Sequence, residues 1–200
     1  PTPDTIYIDS IGLRPHADLS LLPGDVVELQ FRGTAGGRGS FSLDSLIVDA
    51  PMREETPQSS YWGEIVFGDG NTLPTRADSG WYTGTLRIPE NLIEPAPVHF
   101  KLVADGDTVC RQTVAKIGRW RDDQPRVAET LLPLTVLRTG PKKSYYYFLS
   151  RGVRLWITGK YGRSYRVRLA EHLAAWIEDY KIQLLPPGTA VPRQAVEAVR

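Results

Sequence analysis

Thr135-Val-Leu-Arg-Thr-Gly-Pro141, Gly152-Val-Arg-Leu-Trp-Ile-Thr-Gly159, Tyr165-Arg-Val-Arg-Leu169 and Ala175-Trp-Ile177 together decide the fold of this chain. Each is short, each alternates, and Gly or Pro punctuates the gaps. Val153, Leu155 and Ile157 alternate with Arg154, Trp156 and Thr158. Tyr165, Val167 and Leu169 alternate with Arg166 and Arg168. Period two is the signature of a strand with one buried face. A β unit is therefore expected over residues 126–185. A strand is preferred to a helical turn at Ala175–Ile177, and Tyr165 and Trp176 are expected in the core.

The same reading extends towards the N-terminus. In Asp25-Val-Val-Glu-Leu-Gln-Phe-Arg32, residues Val27, Leu29 and Phe31 share one face. Leu22-Pro-Gly-Asp25 before it reads as a turn, as does Thr34-Ala-Gly-Gly-Arg-Gly39 after it. Strands are expected at Ser40–Val48, Ser60–Phe67, Trp81–Ile88, Pro97–Val103 and Thr108–Ile117. Ala104-Asp-Gly-Asp107 is a hairpin signal. Several strands spaced by turns predict an antiparallel sandwich of immunoglobulin-like type over residues 1–117. Gly118–Pro125 is polar and reads as a linker between two separate β cores. The fold class expected is all-β. Residues 186–200 form a Pro-rich tail that stops without a cap and leads to a further, missing domain; residue 1 is Pro, so the chain reads as a processed protein or a fragment.

Composition sets the functional bounds. The 200 residues carry a net charge of +1, distributed unevenly. Residues 1–117 hold 9 Lys/Arg against 16 Asp/Glu, and residues 118–200 hold 15 against 7. The basic half favours anionic partners. The acidic half and the lack of an arginine-rich run argue against nucleic acid. No apolar run approaches the roughly 18 residues of a membrane span. A single cysteine, Cys110, makes no internal disulfide or Cys-based zinc site; in a strand-like run it reads as a small, half-buried apolar residue.

No catalytic motif is present. There is no H-E-x-x-H, no G-x-S-x-G and no phosphate-binding loop; Gly36–Gly39 reads as a turn. Glu54-Glu55 and Asp122-Asp123 read as solvated loops, since neighbours on a strand point opposite ways. No catalytic residue, metal ligand or cofactor is expected. The aromatics carry more information. Trp156 falls on the same strand face as Arg154, Arg166 and Arg168, a flat ring among cations suited to a sugar ring or a carboxylate. The alternative is that this Trp is covered by packing. Tyr145, Tyr146 and Tyr147 offer further contact surface.

The order V-x-R-x-G-P, G-V-x-L-x-I-x-G, Y-x-V-x-L, x-W-I resembles the bacterial SH3-like domain, a small barrel of cell-wall enzymes and extracytoplasmic proteins. Leu22-Pro-Gly-Asp25 to Phe31-Arg-Gly33, Pro51-Met-Arg-Glu54, Gly80-Trp-Tyr-Thr-Gly84 and Leu184-Leu-Pro-Pro-Gly-Thr189 are similar to the region before the zinc catalytic domain of some bacterial N-acetylmuramoyl-L-alanine amidases. The resemblance implies a non-catalytic, periplasmic or extracellular accessory region, a monomer that targets or scaffolds on peptidoglycan. The alternative is a protein–protein module that restrains its own catalytic domain.

Overall fold

A computed structural model describes residues 5–55, 79–121, 126–170 and 173–192. The chain is all-β, and no α-helix occurs among the described residues. It forms two compact units, and their membership does not follow a single cut. The first comprises residues 1–16, 26–87 and 96–116; the second comprises 17–25, 88–95 and 117–200.

In the first unit, β2 (Val26–Arg32), β3 (Arg38–Leu43), β4 (Ile47–Glu54), β5 (Trp81–Arg87), β6 (Ala96–Ala104) and most of β7 (Asp107–Arg119) run in the order β7-β6-β3-β4-β5-β2. The alternation places Val27, Leu29 and Phe31 inward, with Tyr82 and Leu86 from β5 and Val98, Phe100 and Leu102 from β6. β2 and β6 lie four places apart in that order. Yet the rings of Phe31 and Phe100 are 5.3 Å apart, and both are fully buried. The sheet therefore folds over on itself, as a sandwich does. The β6–β7 hairpin turns at Asp105 (φ 51°) and Gly106 (φ 87°), the left-handed pair that a tight antiparallel turn requires.

Three expectations need correction here. Ser40–Val48 is not one strand. It is a hairpin, β3 turning into β4 through Asp44–Leu46, with Asp44 at φ 48°. Asp tolerates that conformation, so no Gly or Pro marks the turn. Glu54 is not in a solvated loop. Its carboxylate accepts hydrogen bonds from the N–H groups of Gly36 (2.8 Å) and Gly80 (3.0 Å). Cys110 is exposed rather than half-buried. The strand expected at Ser60–Phe67 and Asp122-Asp123 lie outside the described residues.

The second unit contains β1 (Leu19–Leu21), the last three residues of β7, β8 (Arg126–Thr130), β9 (Thr135–Arg138), β10 (Tyr145–Leu149), β11 (Arg154–Tyr161), β12 (Ser164–Ala170), β13 (Leu173–Glu178), a 3-10 turn at Asp179–Lys181, and β14 (Ile182–Leu184). The preferred strand at Ala175–Ile177 lies within β13. The strand sequence β10-β9-β13-β12-β11 continues through β8 to β14. Leu137 of β9, Leu155 and Ile157 of β11, Val167 of β12, Ile177 of β13 and Ile182 of β14 share one buried cluster, so the sheet curls round a single core. Tyr165 packs against that cluster half-buried.

The linker read at 118–125 begins as strand. Leu19↔Ile117 and Leu21↔Arg119 pair in parallel, while Leu19↔Tyr161 and Leu21↔Gly159 pair antiparallel. Trp120 N–H donates to the Leu21 carbonyl (2.6 Å), and its indole packs on the core cluster. A three-residue strand is too short for any periodicity to announce it, which is why β1 and its recruitment escape a sequence reading.

Candidate functional site: an aromatic and cationic stripe

The candidate face is built by cross-strand pairing on the outer side of the second unit. Directly opposed residues in an antiparallel ladder share a face. Trp156 opposes Arg168, Arg166 opposes Trp176, Trp176 opposes Arg138, and Arg138 opposes Tyr145. The result is one stripe across β11, β12, β13, β9 and β10 in which flat rings alternate with guanidinium groups. The Arg168 guanidinium lies over the Trp156 ring at 4.9 Å, and that of Arg138 over Tyr145 at 4.8 Å. Stacking of this kind holds both partners in place without neutralising the charge.

A β-bulge between Ile157 and Gly159 breaks the alternation of β11. The extra residue, Thr158, is 1% exposed, and its hydroxyl has no hydrogen-bond partner among the described residues. Beside it opens a groove of about 460 Å³, lined by Thr158, Arg166, Arg168 and the Leu22–Asp25 turn. Gly24 takes φ 83° at that turn. The Asp25 carboxylate accepts from the Leu22 N–H (3.0 Å) and pairs with Arg166 at 2.5 Å, both side chains about four-fifths buried. Asp25 therefore fixes Arg166 at the groove wall and cancels most of its charge. Arg168, whose Nε donates to the Ala170 carbonyl (3.4 Å), lines the same groove, and the Thr158 hydroxyl is buried behind its wall.

The far end of the stripe has its own support. Glu178 accepts from Arg138 Nε (2.9 Å) and pairs with the buried Lys181 (2.8 Å). Burial pushes the Glu178 carboxyl up, but the hydrogen bonds from Lys181, its own backbone and Arg138 outweigh it, and its pKa falls below 4.5. The same contact raises Arg138. A carboxylate depressed in the folded state stabilises above its unfolded pKa and loses that contribution as pH falls through the folded value. Stability from this cluster should therefore drain away below about pH 4.5. Asp179, lowered by its hydrogen bond to Arg163, titrates in the same window, so the difference between wild type and Glu178→Gln isolates Glu178. That variant leaves the Lys181 ammonium without its carboxylate and should lose about 2 kcal/mol at pH 7, less than for a fully buried pair because Glu178 is partly exposed. It should also show a flatter thermal-stability profile from pH 6 to 3. A profile as steep as wild type would remove Glu178 from this role.

The expected site residues do not all meet. Trp156, Arg166 and Arg168 come together as expected. Arg154 instead turns to Glu129 of β8 at 3.7 Å, largely exposed, and does not line the groove. The reason is register: Arg154 opposes Glu129, and only Trp156 reaches the β12 cations. Tyr145 joins the stripe through Arg138. Tyr146 and Tyr147 lie next to it, exposed, with rings 6.5 Å apart. Trp176 is not a core residue; its neighbours Ala175 and Ile177 point inward and it points out. Asp25 and Thr158 were not anticipated. Asp25 is 141 residues from Arg166, and a bulge leaves no mark in the alternation. Among the described residues no group of three His, Cys, Asp or Glu side chains is placed to hold a metal ion, and no helix is long and apolar enough to cross a membrane.

Compared with family models, the chain matches none, and a search of the curated proteins returns no match.

Proposed function

We propose that this chain is a non-catalytic targeting region that holds peptidoglycan, working in the periplasm or at the outer wall as an accessory part of an N-acetylmuramoyl-L-alanine amidase. The observation that carries the reading is the stripe from Trp156 through Arg168, Arg166, Trp176 and Arg138 to Tyr145. Peptidoglycan presents sugar rings and stem-peptide carboxylates side by side. Sugar rings can stack on the exposed Tyr145 and the half-buried Trp156 and Trp176, and a carboxylate can meet the guanidinium groups between them. The resemblance of the strand pattern to the SH3-like domain supports the same reading.

Sedimentation of the purified chain with insoluble peptidoglycan tests it. The chain should pellet with the polymer, and Trp156→Ala should weaken binding about thirtyfold, the equivalent of roughly 2 kcal/mol for a stacked anchor. The fold should survive, because this ring lies outside the core cluster. Binding equal to wild type would remove the stripe from the ligand site. A second reading, a module for a protein partner, is favoured by β10, the last strand of its sheet, where Tyr145, Tyr146, Tyr147 and Phe148 are all exposed. It predicts that the chain stays in the supernatant with peptidoglycan.

A further inference from the structure

Peptidoglycan offers the stripe two chemically different parts, uncharged sugar rings and charged stem-peptide carboxylates, and the ion pairs within the stripe separate them. Three guanidinium groups lie among its rings. Arg166 pairs with Asp25 at 2.5 Å and Arg138 Nε with Glu178 at 2.9 Å, all four side chains being about four-fifths buried. Both carboxylates are held from a second side. Asp25 also accepts from the Leu22 N–H (3.0 Å), and Glu178 also pairs with Lys181 (2.8 Å). Arg168 stacks on the Trp156 ring at 4.9 Å, and its Nε donates to the Ala170 carbonyl (3.4 Å).

A stem carboxylate arriving at Arg166 or Arg138 therefore meets a cation already paired with an acid of the same chain. It competes against a partner held at high effective concentration, and that partner's charge repels it. Pairing does not use up the donors, however. A guanidinium carries five N–H groups. Arg166 gives Nη1 to Asp25, and Arg138 gives Nε to Glu178 and Nη1 to the Lys143 carbonyl (2.8 Å). The N–H groups that remain suit neutral acceptors, the hydroxyl and acetamido oxygens of a sugar, which bring no charge into the stripe. The rings of Trp156, Trp176 and Tyr145 beside them offer apolar faces to the sugar rings. We infer that the stripe holds the glycan chain of peptidoglycan and leaves the stem peptides outside it. This inference rests on the peptidoglycan reading and narrows it to one component of the polymer.

Competition in the sedimentation assay tests it. The whole chain is mixed with intact insoluble peptidoglycan and with one of two soluble competitors made from the same polymer: glycan strands freed of their stem peptides, or the released stem peptides. The glycan strands should halve pelleting at a concentration about tenfold lower than the peptides need. Raising NaCl from about 0.05 M to about 0.5 M should change wild-type pelleting by less than about twofold, because the charges of the stripe are already paired. Asp25→Asn keeps an oxygen for the Leu22 N–H and removes the charge that cancels Arg166. In that variant the stem peptides should compete about threefold better than they do with wild type, and salt should weaken their effect. Stem peptides that displace wild type as well as the glycan strands do would overturn the inference. So would an Asp25→Asn variant no more sensitive to them than wild type. In both cases the chain still pellets, and the peptidoglycan reading stands. A wild-type chain that stays in the supernatant with the intact polymer removes that reading and the inference together.

Discussion

Tyr82→Ala should cost the first unit about 4 kcal/mol, within the range for deleting a fully buried aromatic ring. The ring is entirely buried and stacks on Phe31 with centroids 4.7 Å apart. Its hydroxyl donates to the Thr34 carbonyl (2.8 Å) and accepts from the Gly37 N–H (2.9 Å), with the Glu54 carboxylate 3.4 Å away. Burial, opposed by the Gly37 hydrogen bond and reinforced by the Glu54 charge, pushes the phenol up to about 12, so it stays a neutral donor across the stable range of the protein. Tyr82→Phe keeps the ring and removes only the hydroxyl. It should lose about 1–2 kcal/mol, because Gly37 N–H and Thr34 C=O are left without that partner. Urea unfolding of the three proteins separates the contributions. If Tyr82→Phe were as damaging as Tyr82→Ala, the hydrogen-bond network rather than ring packing would hold this unit.

The second large effect is expected at Gly80. Its backbone has φ 83°, and a Cβ there would lie 2.1 Å from the Gly33 carbonyl oxygen. That contact is backbone against backbone, so no side chain can swing aside. Gly80 O also accepts from Gly33 N–H (2.8 Å), and Gly80 N–H donates to Glu54. Gly80→Ala should therefore lose about 3 kcal/mol or more, from left-handed strain together with displacement of both hydrogen bonds. Gly24 provides the comparison. It has the same φ of 83° but nothing within 4 Å of its Cβ position. Gly24→Ala should cost only the conformational term, about 1–2 kcal/mol. Equal losses at the two glycines would show that the close approach at Gly33 is unimportant. Thermal unfolding of both variants decides the matter.

The inward faces of β2, β5 and β6 were legible because each residue's burial there is decided by its own strand. Alternation records that directly, and Leu29, Phe31, Phe100 and Leu102 obey it. The candidate site was half legible for the same reason. Trp156 and Arg168 share a face before the bulge, so period two brings them together correctly. What escaped is whatever depends on a partner far along the chain. Trp176 alternates like a core residue of one parity or a surface residue of the other; only its pairing with Arg166 and Arg138 settles which. Glu54 resembles any exposed acid until Gly36 and Gly80 arrive to donate to it. β1 has three residues and no pattern, yet it supplies Asp25's turn to the groove.

That last feature has a consequence in time. The turn that fixes Arg166 is made first, and its partner emerges 141 residues later. At about 5–20 residues per second, the interval is about 7–30 s. Leu19 and Leu21 find a first partner when Ile117–Arg119 emerges, and their antiparallel partner on β11 later still. Slowing translation lengthens that interval, and an early stop codon makes it permanent. The groove is thus complete only once β11 and β12 have emerged, and a product truncated before them would leave Leu19–Leu21 without its antiparallel partner.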